Sequence, residues 1–237
     1  MRRLSLAVSM AVAGALLAGP GASAAGAETC NGNLGDDRDF DTLVVPDRGR
    51  CTIGPNASVT VDGNVAVGAN AVLWVERGDD SNRGTLRARG DMFLDDGSSF
   101  LDGGRLTLQG SMVGWPDKVA VIDDAFIGGR VSLAGVAKSV EFEDVAIEGD
   151  FEIGKGRGGT LLPKVHVDGQ LTVRDKRMGS IGVVDSTMDR LIVRDNVVNS
   201  LRIVDNIVSK SFTCLRNETN SIVRGNVVAG ESRTESC

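Results

Sequence analysis

Apolar pairs return along this chain every twenty residues, and that period constrains its fold more than any other feature. The period is clearest between residues 169 and 213, where GQLTVRD is followed by DRLIVRDN, NSLRIVDN and SKSFTC. Working outward, a glycine or polar substitute marks each unit at Gly63, Gly84, Gly104, Gly129, Gly149, Gly169, Asp189 and Ser209. The steps are 21, 20, 25, 20, 20, 20 and 20 residues. Two and four residues after the marks sit pairs such as Val131/Leu133, Phe151/Ile153, Leu171/Val173 and Leu191/Val193; after Ser209 the pair has decayed to Ser211/Thr213. Matching pairs precede several marks, as at Val145/Ile147 and Val165/Val167. Alternation of this kind buries one face of a β-strand, and no stretch holds a helical period long enough to compete.

Short strands repeating at a fixed period of this length indicate a solenoid. The expected fold is all-β, a single-stranded parallel β-helix with about 20 residues per coil. An antiparallel sandwich would not need a constant period. Residues 188–196 and 198–206 also fit L-x-x-L-x-L-x-x-N, the core of a leucine-rich repeat. Their starts are only ten residues apart, however, and such a repeat needs 20–29 residues to return through its outer segment. In a β-helix the same offset reads as two strands per coil, with Asn196 and Asn206 at corners, where asparagine tolerates tight conformations.

Arg2 and Arg3 precede an apolar run and two small-x-small sites, Ala22-Ser23-Ala24 and Ala25-Gly26-Ala27, the layout of a secretory signal peptide over residues 1–27. Residues 28–237 then form a single β-helix domain. No later apolar stretch is long enough for a membrane span of roughly 20 residues. Removing 27 residues from 237 leaves 210, about ten coils. At the strand spacing, that gives a rod on the order of 45–50 Å long. Four cysteines in an exported chain read as two disulfides. Cys30 and Cys51 are 21 residues apart and Cys214 and Cys237 are 23 apart, each about one coil. The expected bridges are therefore Cys30–Cys51 and Cys214–Cys237, stapling each end coil, with its unpaired edge, to its neighbour.

Candidate chemistry is sparse. His166 is the only histidine, expected on the outer surface between inward Val165 and Val167, and no serine has nucleophile-elbow context. Acidic pairs occur at Asp36-Asp37, Asp79-Asp80, Asp95-Asp96 and Asp123-Asp124. Adjacent strand residues point to opposite faces, so such pairs read as solvated corners before they read as catalytic carboxylates. Neither an EF-hand nor a G-G-x-G-x-D calcium repeat is present. Hence no catalytic residue, metal site or cofactor is assigned, and the chain reads as a non-enzyme. The long step from Gly104 to Gly129 suggests an insertion around Gly114-Trp115-Pro116-Asp117, which makes Trp115 and Asp117 the candidate ligand loop, although a Trp115 folded back over its own coil as a cap is the plainer expectation. Trp74, in an alternating run, is expected to pack.

Charge separates along the chain. Without Arg2 and Arg3 there are 24 basic and 32 acidic residues, net −8, which disfavours nucleic acid. Residues 28–153 hold 11 basic and 23 acidic residues, whereas residues 154–237 hold 13 and 9. A rod so charged suits docking of its C-terminal half on an anionic cell-wall polymer, or head-to-tail association with itself; a solvated ladder of Arg174 and Arg194 with Asp175, Asp195 and Asp205 would use the same charges differently. The function expected is a secreted, non-catalytic β-helix with a structural or binding role, at the cell wall or outside the cell. The alternative is a polysaccharide lyase or glycosidase using acids on one face.

The motif D-x-L-V-V-P…C-T-I at residues 41–53, V-x-G-N-V at 61–65 and C-L-R-N…G-N-V-V-A-G…C at 214–237 resemble secreted, cysteine-capped repeat proteins of actinobacteria. That resemblance implies architecture and compartment and supplies no catalytic residues. The repeats are also distantly similar to bactofilins, polymerising β-helices that are usually cytoplasmic and lack such disulfides.

Overall fold

A computed structural model describes residues 27–79 and 82–237. The expected leader lies outside them, Ala27 apart, as does Asp80 of one acidic pair. The described strands pair in parallel, each with the strand one coil earlier and one coil later, building a β-solenoid of about ten turns.

Each turn has three strands, not the two expected from the ten-residue offset. Face 1 carries Leu43–Val45, Val65–Val67, Met92–Leu94, Met112–Gly114, Val131–Val136 and Phe151–Gly156 in register, and continues to Glu231–Glu235. Face 2 runs from Gly32–Leu34 through Arg50–Ile53, Val72–Val75 and Ser99–Asp102 to Glu218–Arg224. Face 3 runs from Arg38–Phe40 through Ser58–Val61 and Thr85–Ala88 to Val227–Val228. The Leu191 motif is on face 1 and the Leu201 motif on face 2, and Ile207–Val208 supplies the third side before face 1 returns at Phe212.

Alternation along each strand sends every second side chain inward, so the core is a set of vertical stacks. On face 1, Val65, Met92, Met112, Val131, Phe151, Leu171 and Leu191 lie over one another and are all buried. Phe142 and Phe151 meet with ring centroids 4.8 Å apart. This closed aliphatic interior is the main stabilising term, since each fully buried side chain of this size contributes roughly 1.5–3 kcal/mol.

Register corrects where the extra residues sit. The coil carrying Trp115 is regular: Met112 pairs with Val131, 19 residues on, and Phe100 with Val119, also 19 on. The long spacing instead falls between Val65 and Met92, and between Leu73 and Phe100, both 27 residues apart. The insertion therefore lies between Val75 and Thr85. Glycine spacing misplaced it because Gly84 and Gly104 precede face 3 whereas Gly63, Gly129 and Gly149 precede face 1. Gly90 and Gly110 are the face 1 marks of the intervening coils. The reason for glycine there is close approach: a Cβ on Gly110 would lie 2.3 Å from the Gly90 carbonyl oxygen below. The decayed pair after Ser209 has a similar cause. One added residue makes Leu191 pair with Phe212, and Phe212 and Cys214 take the inward positions.

Corners are built from residues in the left-handed region. Lys155, Asp175, Asp195 and Arg216 stack at the corner between faces 1 and 2 with φ of 39°, 56°, 57° and 51°. Asp144, Lys164, Asp185 and Asp205 do so between faces 2 and 3. The next residue turns inward, and in the C-terminal coils it is asparagine. Asn196 Oδ1 accepts from the Lys176 N–H at 2.9 Å, while its Nδ2 donates to the Val173 carbonyl at 3.1 Å and to Asn217 Oδ1 at 2.9 Å. Asn206 and Asn226 repeat this at the other corner. Asn196 and Asn206 thus occupy corners as expected, satisfying backbone groups that a tight turn leaves without strand partners.

Both terminal coils are bridged, Cys30 to Cys51 and Cys214 to Cys237, with Cα atoms 5.4 and 5.3 Å apart. These are the expected pairings.

Candidate functional site

Outward side chains on a solenoid stand one rung apart, so any site here must be assembled from neighbouring coils. Trp115 sits at the corner between faces 1 and 2 and is 61% exposed. Its backbone N–H donates to the Leu94 carbonyl at 2.9 Å, tying it to the coil below. With Phe93 (41% exposed), Val113, Arg130 and Asp95 it lines a recess of about 290 Å³. Asp117, half-buried, is ion-paired with Lys138 at 3.0 Å. Phe93 was missed in the sequence although the signal was there: in Met92-Phe93-Leu94 the outward position of an alternating strand is aromatic. Trp74, expected to pack, is instead on the outer phase, half-buried, with the Arg50 guanidinium 5.4 Å from its ring centroid.

His166 is outward, flanked by buried Val165 and Val167. Its Nε2 lies 2.8 Å from Asp168 Oδ1, and its Nδ1 hydrogen-bonds the Thr187 hydroxyl one coil on. In the coils that follow, Lys210 and Ser209 both donate to Asp189, and these bonds hold the Asp189 carboxyl below its ordinary range.

The acidic pair Asp123-Asp124 forms a left-handed kink with φ of 66° and 50°. Arg77 reaches Asp123 at 3.1 Å, and Arg83, from the insertion, approaches Asp123 at 3.9 Å and Asp124 at 3.8 Å. Arg83 also acts on Asp102, an acid on the inward phase of Ser99–Asp102. Burial pushes Asp102 up to about 7, against the Gly104 N–H and the Arg83 charge, which both favour its ionised form. Its Oδ2 has no hydrogen-bond partner. Lys176 is a second buried charge: it holds the corner position that Asn196 holds one coil later, its Nζ is unpartnered, and burial lowers it to about 8. Neither Asp102 nor Lys176 was singled out from the sequence, although each is an ionisable residue on an apolar phase.

At the edge of face 1 the expected charge ladder exists in part, without Asp205, which stands at the corner between faces 2 and 3. Arg174 pairs with Glu152 at 2.6 Å and Asp175 at 2.9 Å, Arg194 with Asp195 at 3.0 Å, and Arg216 with Asp195 at 2.6 Å. These arginines are locally neutralised. Among the described residues no group of three or more His, Cys, Asp or Glu side chains is placed to hold a metal ion.

Compared with protein-family models, curated proteins and solved structures, the chain matches none of them.

Proposed function

We propose that the protein is a secreted, non-catalytic β-helix that binds or scaffolds at the cell surface or outside the cell, its partners being an anionic wall polymer or a second copy stacked head to tail. The observation carrying this reading is the rigid frame. End coils are stapled by disulfides, which are compatible with an extracellular setting, and inward asparagines lock the C-terminal corners, so outward side chains are held at fixed one-rung intervals. Such pre-ordering favours binding of an extended, repeating partner, because little side-chain entropy remains to be lost. Co-sedimentation of the mature protein with isolated cell wall, followed by salt elution, tests the role. Retention at low salt and release at high salt is expected; a protein left wholly in the supernatant at low salt contradicts it.

One observation favours a second reading, a polysaccharide-active enzyme. Burial pushes Asp102 up to about 7, and Arg83 acts on it as well as on Asp123 and Asp124, which places a group able to keep its proton beside ionised carboxylates, the pairing that glycoside hydrolysis uses. Cleavage of any member of a polysaccharide panel that Asp123→Asn abolishes would establish it over the first.

A further inference from the structure

The charge ladder on face 1 leaves some arginines out, and their positions converge. Arg157 and Arg177 are exposed at the corner between faces 1 and 2, and neither guanidinium is ion-paired among the described residues, unlike Arg174, Arg194 and Arg216. Gly156 pairs with Lys176, which sets the two arginines one rung apart, about 4.8 Å at their Cα atoms. With Gly135, Ala137 and Gly156 they line a recess of about 320 Å³. Toward the N-terminal end the same corner meets Trp115, whose Cδ1 lies 3.5 Å from where a Gly135 Cβ would stand. The corner therefore runs as one lane: an exposed indole beside Phe93, a saddle without side chains at Gly135 and Gly156, then two unpaired guanidinium forks.

We propose that this lane binds an acidic polysaccharide, with a pyranose ring stacked on Trp115 and sugar carboxylates held by Arg157 and Arg177. Each half of the lane demands a different chemistry. An exposed aromatic face, with the Asp95 carboxylate close by to accept hydroxyl hydrogens, suits an uncharged part of a sugar. The arginines suit planar anions, which a guanidinium can hold through two parallel hydrogen bonds. The rung spacing is close to the length of one pyranose unit, so consecutive residues of a uronate chain can meet consecutive coils. The glycines matter for different reasons: a side chain at Gly135, which has φ of 69°, would stand against the indole, and a Cβ on Gly156 would fall 2.5 Å from the Val136 carbonyl oxygen and push the two coils apart.

This inference rests on the binding role proposed above, and its test separates the two. Binding of the mature protein is measured against polygalacturonate, dextran and polyglutamate at low salt, for wild type, Trp115→Ala, the double variant Arg157→Gln/Arg177→Gln, and Arg224→Gln as a charge control in the last coil. All four substituted side chains are exposed, and thermal melts of each variant verify the fold. The expected result is selective binding to polygalacturonate, weakened at least tenfold by Trp115→Ala and by the double variant and less than twofold by Arg224→Gln. Absence of polygalacturonate binding, equal binding of dextran or polyglutamate, or indifference to the lane variants would each overturn it. Retention of the lane variants on isolated wall would place wall binding elsewhere on the rod while leaving the binding role intact.

Discussion

Single residues show where this solenoid departs from its own rule. Lys176 follows the left-handed Asp175 at the position where the next coil places Asn196, so an amine fills a slot built for an amide. Its folded value of about 8, against 10.5, means that between these two pH values the unfolded chain holds a proton the folded chain has shed. Stability contributed by this site therefore rises with pH from about 8 to 10.5, and below 8 the full cost of a buried cation is present. Lys176→Asn should extend the ladder by donating to the Ile153 carbonyl, as Asn196 does to that of Val173, and stabilise at pH 7 on the order of 3 kcal/mol. A thermal melt several degrees higher at pH 7, with the gain shrinking toward pH 10.5, is the expected outcome. Asp102 has the opposite sense. Between pH 3.8 and about 7 the unfolded chain has lost a proton that the folded chain keeps, so stability falls as pH rises across that window. Asp102→Asn should flatten this fall, measured as denaturant midpoints at pH 4 and pH 7.5. Both residues were legible in principle as ionisable groups on an inward phase. A period defined by apolar pairs passes over such exceptions, because a charged residue on the inward phase breaks the pair that would mark it.

At the level of strands and coils, the period and the inward phase were readable because burial on one face of a strand forces strict alternation. The number of faces was not. Face 3 is represented in the C-terminal coils by only two residues, such as Ile207–Val208, of which Val208 alone points inward, too short to register as a separate alternating run. The insertion was misplaced because glycine serves two corners, and sequence spacing cannot tell a corner between faces 3 and 1 from one between faces 2 and 3. The staples were readable from spacing alone. The coil that the C-terminal staple closes is the least covered: Val223 and Val227 are exposed, and among the described residues Glu231–Glu235 pairs on one side only, with residues 211–215. Closing a loop of this size stabilises by about 3 kcal/mol. In a solenoid that stabilisation is local, because each coil touches only its neighbours. Replacing Cys214 and Cys237 by serine should therefore speed hydrogen exchange in Glu218–Arg224 and Glu231–Glu235 by at least tenfold, leaving Val131–Val136 protected.

For the whole molecule, the same one-rung register that stacks the core also sets the ion-pair ladder and the lane from Trp115 to Arg177. The ladder could be anticipated because Arg174 and Arg194 recur at the period. The lane could not: Arg157 and Arg177 also recur at the period, but only the fold shows that they lack the acidic neighbours Arg174 and Arg194 have, and Trp115 has no counterpart in any other coil. A rod also separates the two cysteine pairs by most of its length, and this gives the most direct test of the architecture. Mass spectrometry of a non-reduced proteolytic digest should find Cys30 linked to Cys51 and Cys214 linked to Cys237. A peptide joining Cys30 or Cys51 to Cys214 or Cys237 in the monomeric protein would contradict the solenoid.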